Sequence, residues 1–220
     1  MALTTNLAAY YPLSETVGTR NTVVGSRHLT PQGTPTYDSG IVGTAAKFVF
    51  SSSQYLNHAD HNDLDLSTTG SASEWSICGW AYCDSFPNLQ QIVAKGESSM
   101  ADGIQLEYGL QIGIFGNVLA QVDYGNDYHE AKWDAELSVG EWFFVAGVLR
   151  TTGDDTGLTV FGGKASDTEL TKNTTKFTPA AAASTAGIFT IGSLYGNQNF
   201  MNGRIDEVGL WKRALTDDEV

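Results

Sequence analysis

Apolar and polar residues alternate along most of this chain, and glycine, asparagine or aspartate separates one alternating run from the next. Because successive side chains of a β-strand point to opposite faces, this pattern predicts strands that bury one face. Short strands at regular spacing predict an all-β, two-sheet antiparallel β-sandwich, with helix only at the extreme C-terminus. The predicted strands are residues 7–13, 45–50, 54–57, 74–83, 90–95, 105–115, 118–123, 141–150, 157–161, 187–193 and 203–212.

Two of these predicted strands, residues 74–83 and 141–150, are apolar on both faces. In the second, Trp142 and Phe144 face one way while Phe143 and Val145 face the other. A strand with a solvated outer face would carry more polar residues. Both strands are therefore predicted to be central, with one face in the core and the other under long loops or in a concave groove.

The C-terminal segment predicts a strand that leads directly into a short helix start. Period-two alternation places Ile205 and Trp211 on one face of the strand and Val208 on the other. Thr216, followed three residues later by Glu219, forms a capping-box pattern with an acidic first turn. Upstream, the biased segment 171–186 is interpreted as a surface connection, with a short helical turn as the alternative.

Length, charge and cysteine usage narrow the class of protein. The chain of 220 residues suits a single domain, residues 1–220, and its net charge of −13 argues against nucleic acid and anionic membranes. No segment is apolar and long enough for membrane insertion. The start MALTTNL lacks the features of a secretory signal and resembles the start of a complete short gene product.

The only cysteines, Cys78 and Cys83, fall within one predicted strand and point to opposite faces. They are also too far apart to form a disulfide, so we expect two free thiols and folding in a reducing cytosol.

Several segments together resemble a known family. LAAYYPLSE resembles the opening strand of bacterial and phage laminin-G-like domains, LSVGEWFFVAGVLR their central strand, and GRIDEVGLWKRALTDDEV their closing strand. The order and spacing of these segments are similar to those of a concanavalin A-like jelly roll over essentially the whole chain. One departure is Phe161-Gly162-Gly163, which stands where the family carries an aromatic residue followed by Val-Asp-Gly.

The resemblance implies a recognition or structural module rather than an enzyme. It suggests a phage virion-associated protein, a decoration or tail subunit assembled in the host cytoplasm and located at the virion surface. Its partners would be other virion or surface protein subunits, glycans, or further copies of the chain. The alternative is a secreted or cell-surface carbohydrate-binding adhesion module. Glucanase relatives need carboxylates in a Glu-x-Asp-x-Glu spacing on one strand, and this sequence has no such run.

Two segments combine aromatic, amide and acidic residues, a composition that suits sugars because rings stack on sugar faces while polar groups bind hydroxyls. One alternative for the first segment is a twisted hairpin whose Trp133 covers the core edge, and for the second an ordinary Gly-Asn turn. The candidate carbohydrate-binding residues are Tyr124, Asn126, Asp127, Tyr128, His129 and Trp133 in the first segment, and Tyr195 and Asn197 in the second.

The resemblance also implies one structural calcium ion, because relatives of this fold often hold one. Asn21 stands where many relatives carry a ligand aspartate, and Asp206 is the most plausible acidic partner. The alternative is that Asp206 pairs with Arg204 or caps a backbone group. The segment 57–65 is rich in histidine and aspartate, but its spacing favours a polar connection that leads into inward-facing leucines over a zinc site.

Overall fold

A computed structural model describes residues 2–67, 72–99, 103–124, 127–180 and 186–220 of the chain. These residues form β-strands and two short 3₁₀ turns, Phe50–Ser52 and Asp217–Glu219. The strands are β1 (Leu7–Tyr11), β2 (Thr30–Gln32), β3 (Thr36–Ser39), β4 (Thr44–Phe48), β5 (Tyr55–His58), β6 (Trp75–Cys83), β7 (Gln90–Ser99), β8 (Gly103–Ile112), β9 (Val118–Asp123), β10 (Tyr128–Trp133), β11 (Trp142–Arg150), β12 (Gly157–Lys164), β13 (Thr171–Lys176), β14 (Ile188–Ile191) and β15 (Gly203–Trp211).

The strands build two antiparallel sheets that face each other. The first sheet has the strand order β13-β12-β11-β6-β15-β4-β3, and β1 also pairs with β15. The second sheet has the order β10-β9-β8-β7-β14-β5-β2. This arrangement confirms the predicted two-sheet sandwich of jelly-roll type.

A hydrophobic core fills the space between the sheets. Trp75 on the first sheet and Tyr108 on the second are fully buried, and their ring centroids lie 6.0 Å apart. Leu64 and Leu66, which close the polar connection after β5, also pack into this core as the sequence predicts. Each aromatic side chain of this size buries about 150–250 Å², so rings carried inward by both sheets contribute strongly to the core.

The two strands with apolar residues on both faces are central, as predicted. β11 pairs with β12 on one side and with β6 on the other. On the outer face of this sheet, Ala146 and Val148 are buried in a second cluster, against which Ala214 and Val220 of the C-terminal segment pack. The outer face of β11 is therefore covered by the end of the chain, which is why its residues need not be polar.

Four strands are absent from the prediction, and all four lie at the ends of the two strand orders. They are β3 and β13 in the first sheet and β2 and β10 in the second. Of these, β2 and β3 are short and β13 is polar on both faces, so they lack the alternation that identifies a half-buried strand. β10 does alternate, but it buries only Ala131 and Trp133 among its six residues, which is a weak sequence signal. The segment 171–186 accordingly begins with β13 rather than a connection, while residues 181–185 lie outside the described part of the chain.

The closing strand departs from simple alternation. A β-bulge between Asp206 and Gly209 shifts the pairing with β6, and Glu207 adopts a left-handed φ of 54°. The bulge adds one residue to the strand, so Ile205, Val208 and Leu210 all join the core. The predicted grouping of Ile205 with Trp211 on one face is therefore wrong beyond the bulge.

The C-terminus forms one 3₁₀ turn, Asp217–Glu219, rather than the first turn of an α-helix. The capping interaction is nevertheless present, since the Thr216 amide donates to Glu219 Oε2 at 3.0 Å. Arg213 also binds the Glu219 carboxylate through both terminal nitrogens, at 2.7 and 2.9 Å. Both cysteines are free thiols, as predicted.

Candidate functional site

A row of glutamine side chains crosses the outer face of the second sheet. Alternation along β8 and β9 sends Ile112 and Val122 into the core, and a β-bulge between Gln91 and Val93 of β7 sends both Ile92 and Val93 there. The neighbouring positions that face outward carry Gln91, Gln111 and Gln121. We call these three residues the glutamine row.

Hydrogen bonds join the row from strand to strand and extend it to β10. Gln111 Nε2 donates to Gln91 Oε1 at 3.1 Å, and Gln121 Nε2 donates to Gln111 Oε1 at 3.3 Å. Gln121 Nε2 also donates to the Tyr128 hydroxyl at 2.7 Å. All three glutamines are nearly fully buried, so these bonds satisfy amide groups that would otherwise be costly to remove from water.

The two ends of the row determine which way each amide points. At one end, Gln91 Nε2 donates to the Val93 carbonyl at 3.0 Å, and a carbonyl can only accept. At the other end, the Tyr128 hydroxyl donates to Glu130 Oε2 at 3.0 Å, so it accepts from Gln121. With both ends assigned, Gln111 donates to Gln91, and Gln121 donates to both Gln111 and Tyr128. This leaves Gln121 Oε1 without a hydrogen-bond partner.

A cavity of about 560 Å³ lies over this row. Its size is in the range of pockets that hold small ligands. We call it the glutamine groove. Its lining residues are Leu89, Leu106, Gln111, Gln121, Asp123, Tyr128, Leu194, Gln198 and Asn199.

One wall of the groove comes from a tight turn between β14 and β15. The Leu194 amide donates to the Gln198 carbonyl at 2.8 Å, and the Gln91 amide donates to the Asn199 carbonyl at 2.8 Å. Tyr195 and Asn199 adopt left-handed φ values of 55° and 52°, which a Gly-Asn turn of this kind requires. The turn is thus tied directly to the edge of β7, and it holds Gln198 and Asn199 over the groove.

Gly109 on β8 leaves the space in which the row can form. A Cβ at this position would lie 2.7 Å from Gln91 Nε2 and 3.4 Å from Gln121 Oε1. The first distance is shorter than real Cβ contacts allow, so any other residue would displace the Gln91 amide. The lack of a side chain at Gly109 is therefore part of how the row is built.

The first predicted sugar-binding segment is a β-hairpin and not a loop. Because β10 alternates, Tyr128 lies on its outward face, where it lines the groove with 46% of its surface exposed. Trp133 is buried in the core and donates Nε1 to Thr171, as in the hairpin alternative. His129 stacks on Phe177 at 3.7 Å between ring centroids, and Tyr124 packs against the same ring.

The other predicted residues lie beside the groove or outside the described chain. Asp127 is exposed and pairs with His129 Nε2 at 3.1 Å. Asn126 lies outside the described residues. Tyr195 is buried against Leu106 and Leu194. It also lines, together with Asn197, a neighbouring cavity of about 330 Å³.

The sequence therefore indicated Tyr128 but missed the glutamine row and the turn residues Gln198 and Asn199. A signal for the row was present, because three predicted strands each carry a glutamine at an outward-facing position. The register that aligns these glutamines across strands is set by pairing, which the sequence does not display.

Burial keeps the groove's phenol protonated. Partial burial, followed by the nearby Glu130 carboxylate, raises the pKa of Tyr128 far above its usual value. Tyr128 therefore remains a hydrogen-bond donor across the physiological pH range.

The two residues named for calcium are engaged elsewhere in the fold. Asp206 is fully buried, and Oδ2 accepts from the amides of Ile41 and Val42 at 2.9 and 3.2 Å. Its Oδ1 accepts from the Glu207 amide at 3.1 Å, so three of about four lone-pair positions are used. This is the backbone-capping alternative, and burial raises the pKa of Asp206 to about 6.

Asn21 binds Glu15 Oε1 through its backbone amide at 2.6 Å and its side-chain nitrogen at 2.8 Å. Within the described residues, no three histidine, cysteine, aspartate or glutamate side chains are arranged to hold a metal ion. Asn21 and Asp206 thus fit a calcium shell poorly, and calcium binding to this chain stays a prediction.

Comparison with known proteins agrees with the fold. Residues 50–220 match the family described as the concanavalin A-like lectin/glucanases superfamily. A comparison with curated protein sequences found no match. No helix among the described residues is long and apolar enough to cross a membrane.

Solved structures with a similar fold include binding domains and an enzyme. The binding domain of botulinum neurotoxin DC in complex with rat synaptotagmin II has a TM-score of 0.68 at 10% identity and covers 99% of this chain. A botulinum neurotoxin type C structure, titled for its dependence on two ganglioside molecules for cell entry, has a TM-score of 0.65 at 9% identity over 98% of this chain. The Trypanosoma rangeli sialidase in complex with sialic acid also reaches 0.65, at 10% identity over 98%.

The chain spans 51%, 50% and 32% of these three structures, respectively. At such low identity the likeness concerns the fold alone. The family match, by contrast, extends over most of the chain and includes the central and closing strands of the sandwich. This chain therefore belongs to the concanavalin A-like lectin/glucanase superfamily.

Proposed function

We propose that this protein is a non-catalytic carbohydrate-binding module and that the glutamine groove is its binding site. The observation that carries this proposal is the convergence of two sequence segments on one cavity. The first segment contributes Asp123 and Tyr128, and the turn after β14 contributes Gln198 and Asn199. Residues from separate parts of the chain thus supply an aromatic ring, amides and a carboxylate around one space.

The chemistry of the groove suits a sugar. Leu89, Leu106 and Leu194 offer apolar walls for the C–H faces of a pyranose ring. The amides of the row can exchange hydrogen bonds with hydroxyl groups, and Tyr128 offers a ring for stacking. Similar folds in the neurotoxin type C structure, which is described as interacting with gangliosides, and in the sialidase bound to sialic acid add support by analogy.

Binding is tested by screening the purified protein on a glycan array and measuring each hit by isothermal titration calorimetry. We expect Tyr128→Ala to weaken binding at least about tenfold, because it removes both the stacking ring and the end of the glutamine row. The matched control is Tyr37→Ala, since Tyr37 is 49% exposed but lies on β3 of the opposite sheet. If Tyr128→Ala and Tyr37→Ala bound the glycan equally well, the groove would not be the binding site.

The absence of catalysis is part of the same proposal. Asp123 and Glu130 are the acidic residues at the groove, on β9 and β10, and they do not follow the spacing of a glucanase strand. Prolonged incubation with a bound glycan is expected to release no new reducing ends. If the wild type released reducing ends, and Asp123→Asn or Glu130→Gln abolished this release, the chain would instead be a glycoside hydrolase.

A second candidate function is that of a subunit in a larger protein assembly, such as a virion. One observation favours it: Ile114, Phe115 and Val139 are all exposed, Phe115 by 72%. The turn that carries Phe115 binds the segment of Val139 through the Leu137 amide, which donates to Gly116 O at 2.8 Å. Light scattering of the wild type and Phe115→Ser tests self-association, and co-sedimentation with particles from the natural source tests a virion role.

A further inference from the structure

The lining of the glutamine groove contains acidic and amide groups but no basic side chain. The described residues include all twelve lysines and arginines of the chain, and none of them lines the groove. Asp123 is the ionisable carboxyl group in the lining, and Glu130 accepts from Tyr128 at its edge. An anionic ligand would therefore meet negative charge and find no cation to pair with.

The basic residues closest in sequence to the groove strands do not change this balance. Lys95 on β7 has a fully buried side chain held by carboxylates, Asp65 at 2.8 Å and Asp60 at 2.9 Å among them. Lys132 shares the outward face of β10 with Tyr128 and Glu130, and like Glu130 it is absent from the lining, so the two opposite charges at this edge offset each other. The imidazole of His129 faces away from the groove and stacks on Phe177.

The hydrogen-bonding capacity of the row also disfavours an anionic ligand. Both hydrogens of Gln121 Nε2 are used, by Gln111 and Tyr128, while Gln121 Oε1 accepts from no protein group. Gln111 Nε2 has one bond, to Gln91, and so retains a second hydrogen. Gln121 Oε1 is itself buried, so the polar groups that a ligand meets are the remaining Gln111 hydrogen and the Asp123 carboxyl group of the lining. A hydroxyl group can both accept from the amide and donate to the carboxylate, whereas a carboxylate or sulfate can only accept.

We infer that the glutamine groove selects neutral, hydroxyl-rich saccharides and discriminates against saccharides that carry carboxylate or sulfate groups. This inference rests on the proposed glycan-binding function and specifies its ligand class. Selection arises from the cost of placing an anion next to Asp123 in a lining that holds no basic side chain. The leucine walls add affinity to both ligand classes and do not contribute to the discrimination.

The test uses pairs of glycans in which one member carries an added acidic group. N-acetyllactosamine is compared with its 3′-sialylated and 6-sulfated forms, and each further neutral array hit is compared with its own acidic form, by calorimetry at low salt. We expect each acidic form to bind at least about tenfold more weakly than its neutral parent. The difference should shrink as added salt screens the repulsion.

A charge introduced at the groove provides the matched variant. Gln198 is exposed on the turn and lines the groove, so Gln198→Lys places a cation beside the ligand. For this variant we expect the affinity for the acidic forms, relative to that for the neutral forms, to rise about tenfold. Asn197→Lys is the control, because the neighbouring residue lines a different cavity and should leave the ratio unchanged.

The outcomes separate this inference from the function on which it rests. Acidic forms that bind as tightly as their neutral parents, with loss in Tyr128→Ala, would overturn the selectivity and leave the glycan-binding function standing. Failure of every neutral and acidic glycan to bind would overturn both. An equal effect of Gln198→Lys and Asn197→Lys would show that general charge, rather than the groove, determines preference.

Discussion

A buried lysine on β7 allows a specific stability prediction. The side chain of Lys95 is fully buried, and its Nζ lies 2.9 Å from Asp60, 2.8 Å from Asp65 and 3.3 Å from Glu107. Glu107 is itself fully buried, and its Oε1 accepts from the Ser67 amide at 2.9 Å. Lys95→Met keeps the length of the side chain but leaves two inner carboxylates without their cation.

We expect Lys95→Met to lose about 3–5 kcal/mol of unfolding free energy near neutral pH, the usual cost of removing one partner from a buried ion pair. For a domain with a total stability of about 5–15 kcal/mol this is a large fraction. The assay is urea unfolding followed by tryptophan fluorescence, since Trp75 lies in the core. At typical dependence on urea, the midpoint should fall by roughly 1–3 M.

The loss should also depend on pH, with a sign that follows from Glu107. Burial raises the pKa of Glu107 to about 7, although Lys95 opposes the shift. A carboxyl whose folded pKa exceeds its unfolded value of 4.5 favours folding less as pH rises through that interval. Without Lys95 the pKa rises further, so the decline continues above pH 7 by up to about 1.4 kcal/mol per pH unit. The variant should therefore lose more stability at pH 8 than at pH 5.

The matched control is Lys172→Met. Lys172 also contacts two carboxylates, those of Asp155 and Asp217, but its side chain is 36% exposed. An exposed pair contributes only about 0–1 kcal/mol, so this variant should remain close to the wild type. The reasoning is refuted if Lys95→Met loses no more than the control, or if its loss is the same at pH 5 and pH 8.

Three further changes test other contacts. A Cβ at Gly162 would lie 2.5 Å from the Trp133 ring, so Gly162→Ala should cost about 1–3 kcal/mol in thermal unfolding, and an unchanged melting temperature would contradict this packing. The Arg213 hydrogen bond lowers the pKa of Glu219 to about 2, so its stabilisation of the C-terminal turn is present above pH 4.5 and lost as pH falls towards 2. An NMR pH titration should show this transition in the wild type and lack it in Glu219→Gln. Asp206→Ala should lose about 1–3 kcal/mol in EDTA as well as in calcium, since backbone caps carry the loss, whereas a loss seen only with calcium would favour an ion site.

Strands with one buried face were predicted from the sequence because burial of one face imposes alternation, and strands with two buried faces because they are apolar throughout. Residues 118–123 were predicted with the bounds that β9 has, and β6 and β11 were recognised as central because both faces are apolar. The edge strand β13 was not predicted because solvent contact permits polar residues on both of its faces. β10 was not predicted because its buried face carries only Ala131 and Trp133, too short a pattern to identify a strand. The bulge at Glu207 was not predicted either, because one extra residue in a strand changes the local sequence pattern very little.

For the candidate site, too, the sequence indicated some features and the tertiary structure decided others. Sequence composition indicated that aromatic and amide residues around Tyr128 and in the turn after β14 suit a sugar. The net charge of −13 argued against nucleic acid and anionic membranes as partners. Tertiary structure decided that Trp133 belongs to the core and that Tyr128 faces a cavity.

By itself, the sequence determined the fold class, the central strands, the free cysteines and the acidic character of this protein, because each depends on residue type and local period. Only the tertiary structure decided that Gln91, Gln111 and Gln121 join in one row over Gly109. The physical reason is register: hydrogen-bonded pairing between strands far apart in sequence aligns these side chains, and no local pattern encodes that alignment.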